Sequence, residues 1–251
     1  SSCVGNSLGS RVSNTQSQLI GDTWEVYQKI LWNTGDLSRG LVCDGGAVNA
    51  GSGADKSLDW PALEFFMDFH PNNPGNFFAG DDLAEDWIGL THISAINYRA
   101  KYMGYTLVTG DHNTVCSAVT PYVYRNTGLP IGPDSTYAFA GCPAINDFDV
   151  MQGVPPCLVN SSYETKNDQA KGAKMIQAAA NFNSTTARCV LEGFAFDSMR
   201  DDLPLPDGLQ TAQDRCVQLY DILTWFQNII DEPVGIDPVA FENSLSDNYP
   251  N

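Results

Sequence analysis

Short apolar runs alternate with amphipathic stretches along this chain of 251 residues. The apolar runs, which have the length and bulk typical of buried strands, lie near 39–43, 105–109, 136–141 and 187–194. The stretches between and around them have helical spacing or a helix-forming composition. Strands that alternate with helices build a mostly parallel sheet, because each parallel connection needs a crossover. The sequence therefore predicts an α/β fold in which about four mostly parallel strands carry helices on both faces.

Helices are predicted near 15–32, 81–102, 166–180 and 208–230. Residues 166–180 are rich in Ala, Lys, Gln and Met, which favour a helix. In the last stretch, apolar side chains recur at alternating spacings of four and three residues and form one apolar face. These side chains are Ala212, Cys216, Leu219, Leu223, Phe226 and Ile230. We expect a single domain over residues 1–251, with irregular, insertion-like segments near 47–81 and 142–165.

The charge balance excludes several classes of partner. With 30 acidic and 13 basic residues, the chain carries a formal net charge of −17. A nucleic-acid backbone or an anionic membrane surface requires clustered Lys and Arg, and the sequence has no such cluster. No apolar run approaches the roughly 18 residues of a membrane span, and the N-terminus lacks the features of a signal peptide. We expect a small-molecule substrate, no nucleic acid and no membrane span, with self-association left open.

The cysteine content indicates a compartment. Seven cysteines in an acidic chain that is poor in Lys suggest an oxidising environment, although the odd count leaves one thiol outside intrachain disulfides. Sequons for asparagine-linked glycosylation begin at Asn160 and Asn183 and fit the same environment. We expect a secreted, periplasmic or organelle-lumen glycoprotein. The alternative is a reducing compartment in which the thiols bind a metal.

Two disulfides are predicted from the positions of four cysteines. A bond between Cys142 and Cys157 would close the Pro-rich segment. A bond between Cys189 and Cys216 would join a predicted strand to the last helix. In the chain-entropy model, closing loops of about 15 and about 27 residues stabilises a fold by roughly 3 to 4 kcal/mol each. Because spacing does not fix connectivity, this pairing is a hypothesis.

A Cys, a His and a second Cys follow the ends of two predicted strands. Cys43 ends the first apolar run, and the second run breaks just before His112 and Cys116. In parallel sheets, ligands bind at the carboxyl ends of the strands. Two thiolates and one imidazole leave a fourth position on zinc for a water molecule, whose pKa falls toward about 7. We therefore predict Cys43, His112 and Cys116 as metal ligands, with Asp44 and Asp111 as catalytic hydrogen-bond partners.

Three short motifs carry a resemblance to a known family. They are Cys43-Asp44-Gly45, Gly110-Asp111-His112 and Cys116, with a long predicted helix between the first and the second. This order resembles the carbonic anhydrases that use Cys, His and Cys as ligands, most closely the zeta or cadmium-type class and more loosely the beta class. The resemblance implies a lyase that binds zinc or cadmium and hydrates carbon dioxide through a metal-bound hydroxide, which Asp44 would orient.

Each of these residues also has a structural interpretation. His112 suits a hydrogen-bonded turn, and Cys43 and Cys116 suit half-cystines. The alternative to a metal enzyme is thus a non-enzymatic secreted protein, such as a surface, filament or binding subunit held by disulfides. A bound metal with free thiols would favour the enzyme, and disulfides without a metal would favour the second interpretation.

Overall fold

The computed structural model describes residues 27–35, 42, 59–140, 147–200 and 214–227. Within them, the chain forms one curled mixed sheet of ten strands, together with four α-helices. The strands are β1 (Lys29–Asn33), β2 (Gly75–Ala79), β3 (Tyr105–Thr109), β4 (Tyr122–Arg125), β5 (Ser135–Ala138), β6 (Val150–Gly153), β7 (Leu158–Tyr163), β8 (Gly172–Ala180), β9 (Thr186–Glu192) and β10 (Met199–Arg200). The helices are α1 (Trp60–Phe69), α2 (Leu83–Ile88), α3 (Ile93–Tyr102) and α4 (Asp214–Gln227).

Most neighbouring strands of the sheet are antiparallel. The order across the sheet is β1-β2-β9-β8-β7-β4-β5-β10. The pairs β1–β2 and β2–β9 are parallel, and the other pairs in the described part of the chain are antiparallel. Strand β3 pairs with β6, which meets β8 at Met151 and Gly172. The sheet thus has a parallel part of three strands and a larger antiparallel part.

The predicted fold class is wrong. The sequence predicts about four mostly parallel strands with helices on both faces, whereas the described residues form a ten-stranded mixed sheet with few helices. Strands β3, β5 and β9 confirm the predicted runs near 105–109, 136–141 and 187–194. The run near 39–43 lies outside the described residues except for Val42, which is buried. The error arises because antiparallel hairpins add strands, such as β4 and β8, that lack a clear apolar run.

Strand β8 occupies a segment for which composition predicts a helix. Residues 172–180 pair with β7 on one side and β9 on the other, and the first six of them are buried. Helix propensity amounts to a few tenths of a kcal/mol per residue, and pairing on both sides of a strand overrides it. The helix predicted near 15–32 is also wrong at its described end, where residues 29–33 form β1.

The other two predicted helices are confirmed in part. The stretch near 81–102 forms α2 and α3, which Gly89 and the residues after it separate. The ring of His92 accepts a hydrogen bond from the N–H of Ser94 at 3.2 Å and so caps α3. Helix α4 occupies the described part of the stretch near 208–230. The segments expected to be irregular contain α1 and β2 in one case, and β6 and β7 in the other.

Apolar cores lie on both faces of the parallel part. Strand β2 is buried throughout, as expected of a strand with side chains packed on each face. One face packs against α1, α2 and α3 through four rings that we call the aromatic core cluster: Trp60, Phe78, Trp87 and Tyr98. Their centroids lie 4.8 to 6.2 Å apart. The other face packs against Ile222 and Phe226 of α4.

A third core lies in the antiparallel part of the sheet. Its members are Val123, Ala138, Phe148, Val150, Tyr163, Ala173, Phe194 and Met199. Cys116 packs against this core, and the ring of His112 stacks on Phe148. The turn that follows β3 therefore lies against packed apolar side chains.

Candidate functional site

Polar side chains of the turn after β3 stabilise the turn itself. Asp111 Oδ1 accepts hydrogen bonds from the backbone N–H and from Nδ2 of Asn113, both at 2.9 Å. Thr114 Oγ1 donates to the carbonyl of Asp111 at 2.8 Å. Asp residues favour such local bonds to their own backbone. Asp111, predicted as a catalytic partner, thus caps the one-turn 3-10 helix His112–Thr114.

His112 is buried against aromatic rings. Its ring lies 5.0 Å from Phe148 and 6.1 Å from Tyr163, measured between centroids. Its Nε2 lies 3.2 Å from the carbonyl oxygen of Ala118, and it donates there because a carbonyl can only accept. Burial lowers the pKa of His112 below its ordinary value. His112 is therefore a neutral core imidazole whose Nε2 proton is already engaged.

Cys116 lies four residues further along and is half-buried. Its backbone N–H donates to the carbonyl of His112 at 2.7 Å. Burial raises the pKa of its thiol to about 11, and the negative charge of Glu164 adds to the effect. A cysteine must lose its proton to bind zinc. In this environment Cys116 therefore keeps its proton at neutral pH.

The described residues do not form a metal site. Among them, no group of three or more His, Cys, Asp or Glu side chains could hold a metal ion. The prediction of a metal-binding protein is thus wrong for this part of the chain. Cys43 and Asp44 lie outside the described residues, so the complete ligand set and the zinc or cadmium ion stay predictions. The structure brings Asp111, His112 and Cys116 together in one turn, where each has a structural role.

The predicted disulfides are wrong. In the described part of the chain, the free thiols are Cys116, Cys157, Cys189 and Cys216. Cys189 is buried beneath α3, 3.5 Å from the hydroxyl of Tyr98. Cys216 lies on the exposed side of α4, so these two cysteines do not bond to each other. Cys157 is also free, and its predicted partner Cys142 lies outside the described residues.

Thiol reactivity checks these assignments. We expect Cys216 to react with a maleimide in the native protein, because it is exposed. Cys157 and Cys189 should react only after unfolding, because both are buried and burial raises the pKa of Cys157 to about 12. Peptide mapping by mass spectrometry without reductant measures the three positions separately. Recovery of Cys189 in a disulfide-linked peptide would contradict the assignment.

The carboxyl ends of the parallel strands form a second polar region, which sequence reasoning missed as a site. We call it the carboxyl edge and define it as residues 33–35, 80–82 and 192–195. Asp81 Oδ1 accepts a hydrogen bond from the N–H of Ala195 at 2.7 Å and so joins the loops after β2 and β9. A Cβ atom on Gly80 would lie 1.9 Å from Oγ1 of Thr34, which follows β1, so a larger residue at this position would have to displace the Thr34 side chain.

Asp149 links the antiparallel part of the sheet to this carboxyl edge. Its Oδ2 accepts hydrogen bonds from the N–H groups of Ala84 at 2.6 Å and Glu85 at 3.1 Å, in the first turn of α2. Its own N–H donates to the carbonyl of Gly193 at 2.8 Å. The side chain is fully buried. No local pattern around Asp149 marks it, because its partners lie far away in the sequence.

A buried polar cluster joins α4 to the sheet, and we define it as Lys174, Glu192 and Gln218. Lys174 and Glu192 lie opposite each other on β8 and β9, with Nζ 3.2 Å from Oε1. Gln218 Oε1 accepts a hydrogen bond from Lys174 Nζ. Gln218 Nε2 donates to both carboxylate oxygens of Glu192, at 3.1 and 2.9 Å. Burial lowers the pKa of Lys174 and raises that of Glu192.

Three phenylalanines meet at the surface where α1 ends and β8 turns into β9. We call Phe65, Phe69 and Phe182 the aromatic surface. The ring centroids of Phe65 and Phe69 lie 4.8 Å apart, and those of Phe69 and Phe182 lie 5.1 Å apart. Lys101 Nζ lies 4.2 Å from the centroid of Phe182 and pairs with Asp68 at 2.5 Å. This surface is thus apolar at its centre and charged at its border.

The two sequons differ in exposure. Asn160 is fully buried in β7, where Nδ2 donates to the carbonyl of Ile131 at 2.7 Å and Oδ1 accepts from the N–H of Ile131 at 3.2 Å. Asn183 is exposed in the turn between β8 and β9. Of these two asparagines, Asn183 alone is accessible in the folded chain.

Comparisons with protein-family models, with curated proteins and with solved structures gave no match to this chain. The resemblance to carbonic anhydrases is therefore untested and stays a prediction. Among the described residues, none of the helices combines the length and the apolar character that crossing a membrane requires.

Proposed function

We propose that this chain is a non-enzymatic binding domain that contacts another polypeptide through its aromatic surface. The observation that carries the proposal is the stack of Phe69 and Phe182, whose side chains are 44% and 66% exposed. Single exposed apolar residues are common on protein surfaces. Stacked rings with a charged border have instead the anatomy of an interface anchor, since aromatic residues dominate the energetics of protein contacts.

The aromatic surface is ordered before any partner binds. The N–H of Phe182 donates to the carbonyl of Asp68 at 2.8 Å, which ties the turn to α1. Asn181 holds the same turn, because its Nδ2 donates to the carbonyl of His70 at 2.9 Å and its Oδ1 accepts from the N–H of Thr185 at 2.9 Å. A ring that is already fixed loses little conformational entropy on binding. This pre-ordering supports a recognition role for Phe182.

Charge suggests the chemistry of the partner. Two copies of the chain, each at −17, repel one another, which disfavours a homodimer through this surface. We therefore expect a different polypeptide, with neutral or basic groups around an apolar side chain.

We propose that the domain lies outside the cytoplasm, in a secreted, periplasmic or lumenal protein. The acidic, Lys-poor composition and the exposed sequon at Asn183 support that location, whereas the free thiols among the described cysteines do not add to this support.

Hydration of carbon dioxide has weaker support. A metal-bound hydroxide needs deprotonated thiolate ligands and an imidazole nitrogen that is free to coordinate. Among the described residues, no group of three or more His, Cys, Asp or Glu side chains could hold such a metal ion.

Small apolar probes test the proposed surface. N-acetyl-leucinamide and indole, titrated separately into the full chain, should shift the amide NMR signals around Phe69 and Phe182. Phe182→Ala should abolish these shifts. Val108→Ala is a matched control, because Val108 is 42% exposed on β3, outside the aromatic surface. Equal shifts in Phe182→Ala and in the wild type would contradict the proposal.

A kinetic measurement tests the competing enzyme. We expect stopped-flow assays of carbon dioxide hydration, with zinc supplied, to give the rate of buffer alone. A faster rate that requires zinc, and that is lost in a His112→Ala variant whose circular dichroism spectrum is unchanged, would overturn the non-enzymatic proposal.

A further inference from the structure

Asp149 is a buried carboxyl group in a setting that disfavours its charge. Its Oδ2 accepts two N–H groups of α2, but its Oδ1 has no hydrogen-bond partner among the described residues. The ion pairs in the same part of the chain do not include Asp149. A buried carboxylate without a nearby counter-ion is costly, and it tends to take up a proton instead.

The titratable groups around Asp149 are acidic. Asp82 and Glu85 face it from the start of α2, and their negative charges oppose its ionisation. Tyr105 on β3 and Tyr163 on β7 also lie within electrostatic range of it. The hydroxyl of Tyr163 donates to the backbone carbonyl of Asp149 at 3.3 Å.

Two further charged groups lie near this region. Asp81 lies on the carboxyl edge, where its backbone carbonyl accepts a hydrogen bond from the N–H of Asp149 at 3.2 Å. The cation Arg99, on α3, lies 5.9 Å from the ring centroid of Tyr105. Its guanidinium donates to the carbonyl of Trp87 at 2.6 Å. Arg99 is thus engaged at the far end of α2.

Burial raises the pKa of Asp149 well above its usual range, and the charges of Asp82 and Glu85 add to this rise. The two backbone N–H groups act in the opposite direction but do not cancel it. A group with a raised pKa in the folded state contributes stability below its unfolded pKa of about 3.9, and that stability is lost as the pH rises through the folded pKa.

We propose that Asp149 is a proton-dependent clamp that holds α2 against the carboxyl edge and loosens when rising pH removes its proton. The clamp acts on the N–H groups of Ala84 and Glu85, which both donate hydrogen bonds to Asp149 Oδ2. When the carboxyl group ionises, water must reach it, and α2 must move to admit water. The inference is independent of the aromatic surface, which lies at the end of α1.

Hydrogen exchange at these two amides measures the clamp directly. In the full chain, we expect the protection factors of Ala84 and Glu85, corrected for intrinsic exchange, to fall by about tenfold or more between about pH 5 and about pH 8. Asp149→Asn is nearly isosteric, and its side-chain oxygen can still accept both bonds. In that variant, the protection factor of each amide should change by no more than about twofold over the same pH range. The amide of Ile176, in the β8–β9 pairing, is the internal control.

A surface variant separates the clamp from general loosening of the fold. Glu85→Gln removes a neighbouring negative charge at an exposed position, so it should lower the pKa of Asp149 and shift the loss of protection to lower pH without affecting folding. The same fall in Asp149→Asn as in the wild type would overturn the proposal. Equal protection of Ala84 and Glu85 at both pH values in the wild type would also overturn it.

Discussion

Lys174→Met is expected to lower the free energy of unfolding by about 3–5 kcal/mol, because it leaves Glu192 as an uncompensated charge in the interior. The side chains of this pair are only 2% and 0% exposed. Gln218 would still donate to the carboxylate, but a neutral amide does not replace the positive charge of Lys174. Urea unfolding monitored by circular dichroism measures the loss.

Removing both charges should cost much less than removing one. In Lys174→Met with Glu192→Leu, apolar side chains of similar size replace the pair, and such exchanges are often neutral or stabilising. Lys171→Met is the matched control: its pair with Glu164 is 25% and 16% exposed, so we expect a loss of about 1 kcal/mol or less. If the single and double variants were equally unstable, the buried charge would not be the cause.

Trp87→Ala should be the most damaging change in the aromatic core cluster, with a loss of about 3–5 kcal/mol. Trp87 is fully buried, and its ring centroid lies 5.0 Å from that of Trp60 and 4.8 Å from that of Phe78. Its removal leaves a cavity between α1, α2 and β2 that rigid elements cannot close.

The same urea experiment, with near-ultraviolet circular dichroism as a second signal, measures this loss. Ile93→Ala is the control, because Ile93 is 62% exposed on α3 and its truncation should change stability by about 0.5 kcal/mol or less. A loss for Trp87→Ala no larger than that of Ile93→Ala would contradict the assigned packing.

Helix α4 shows where sequence patterns succeed and where they fail. Apolar spacing predicts the helix and buries Phe226, and both predictions are confirmed. The same pattern predicts that Cys216 is buried and Gln218 exposed. In the structure, Cys216 is exposed and Gln218 is fully buried. A periodicity argument assumes that the surface beneath a helix is apolar. Here that surface contains the Lys174–Glu192 pair, which forms hydrogen bonds with Gln218. No local sequence pattern indicates this pair, because its two residues lie on different strands.

The candidate site was predictable to a similar degree. The strand that ends before Gly110 and the turn that carries His112 and Cys116 both lie where the sequence predicts them. The bonds of the side chains were not predictable, because they depend on residues brought close by hairpins. His112 stacks on Phe148, and Asp149 binds the start of α2 across the fold. Chemistry inferred from residue types alone therefore pointed to a metal, while the distant neighbours make this turn a structural one.

The parallel part of the sheet can form during synthesis only after both β2 and β9 have been made. Strand β2 lies between β1 and β9, and the hydrogen bond from Ala195 to Asp81 joins residues 114 positions apart. A ribosome that adds roughly 5–20 residues per second needs roughly 6 to 23 seconds to make that stretch. Until β9 emerges, the backbone edge of β2 at Phe77 and Phe78 lacks the strand that pairs with it in the finished domain. Nascent chains that stop before β9 therefore leave an unpaired apolar strand edge, the form most prone to aggregate.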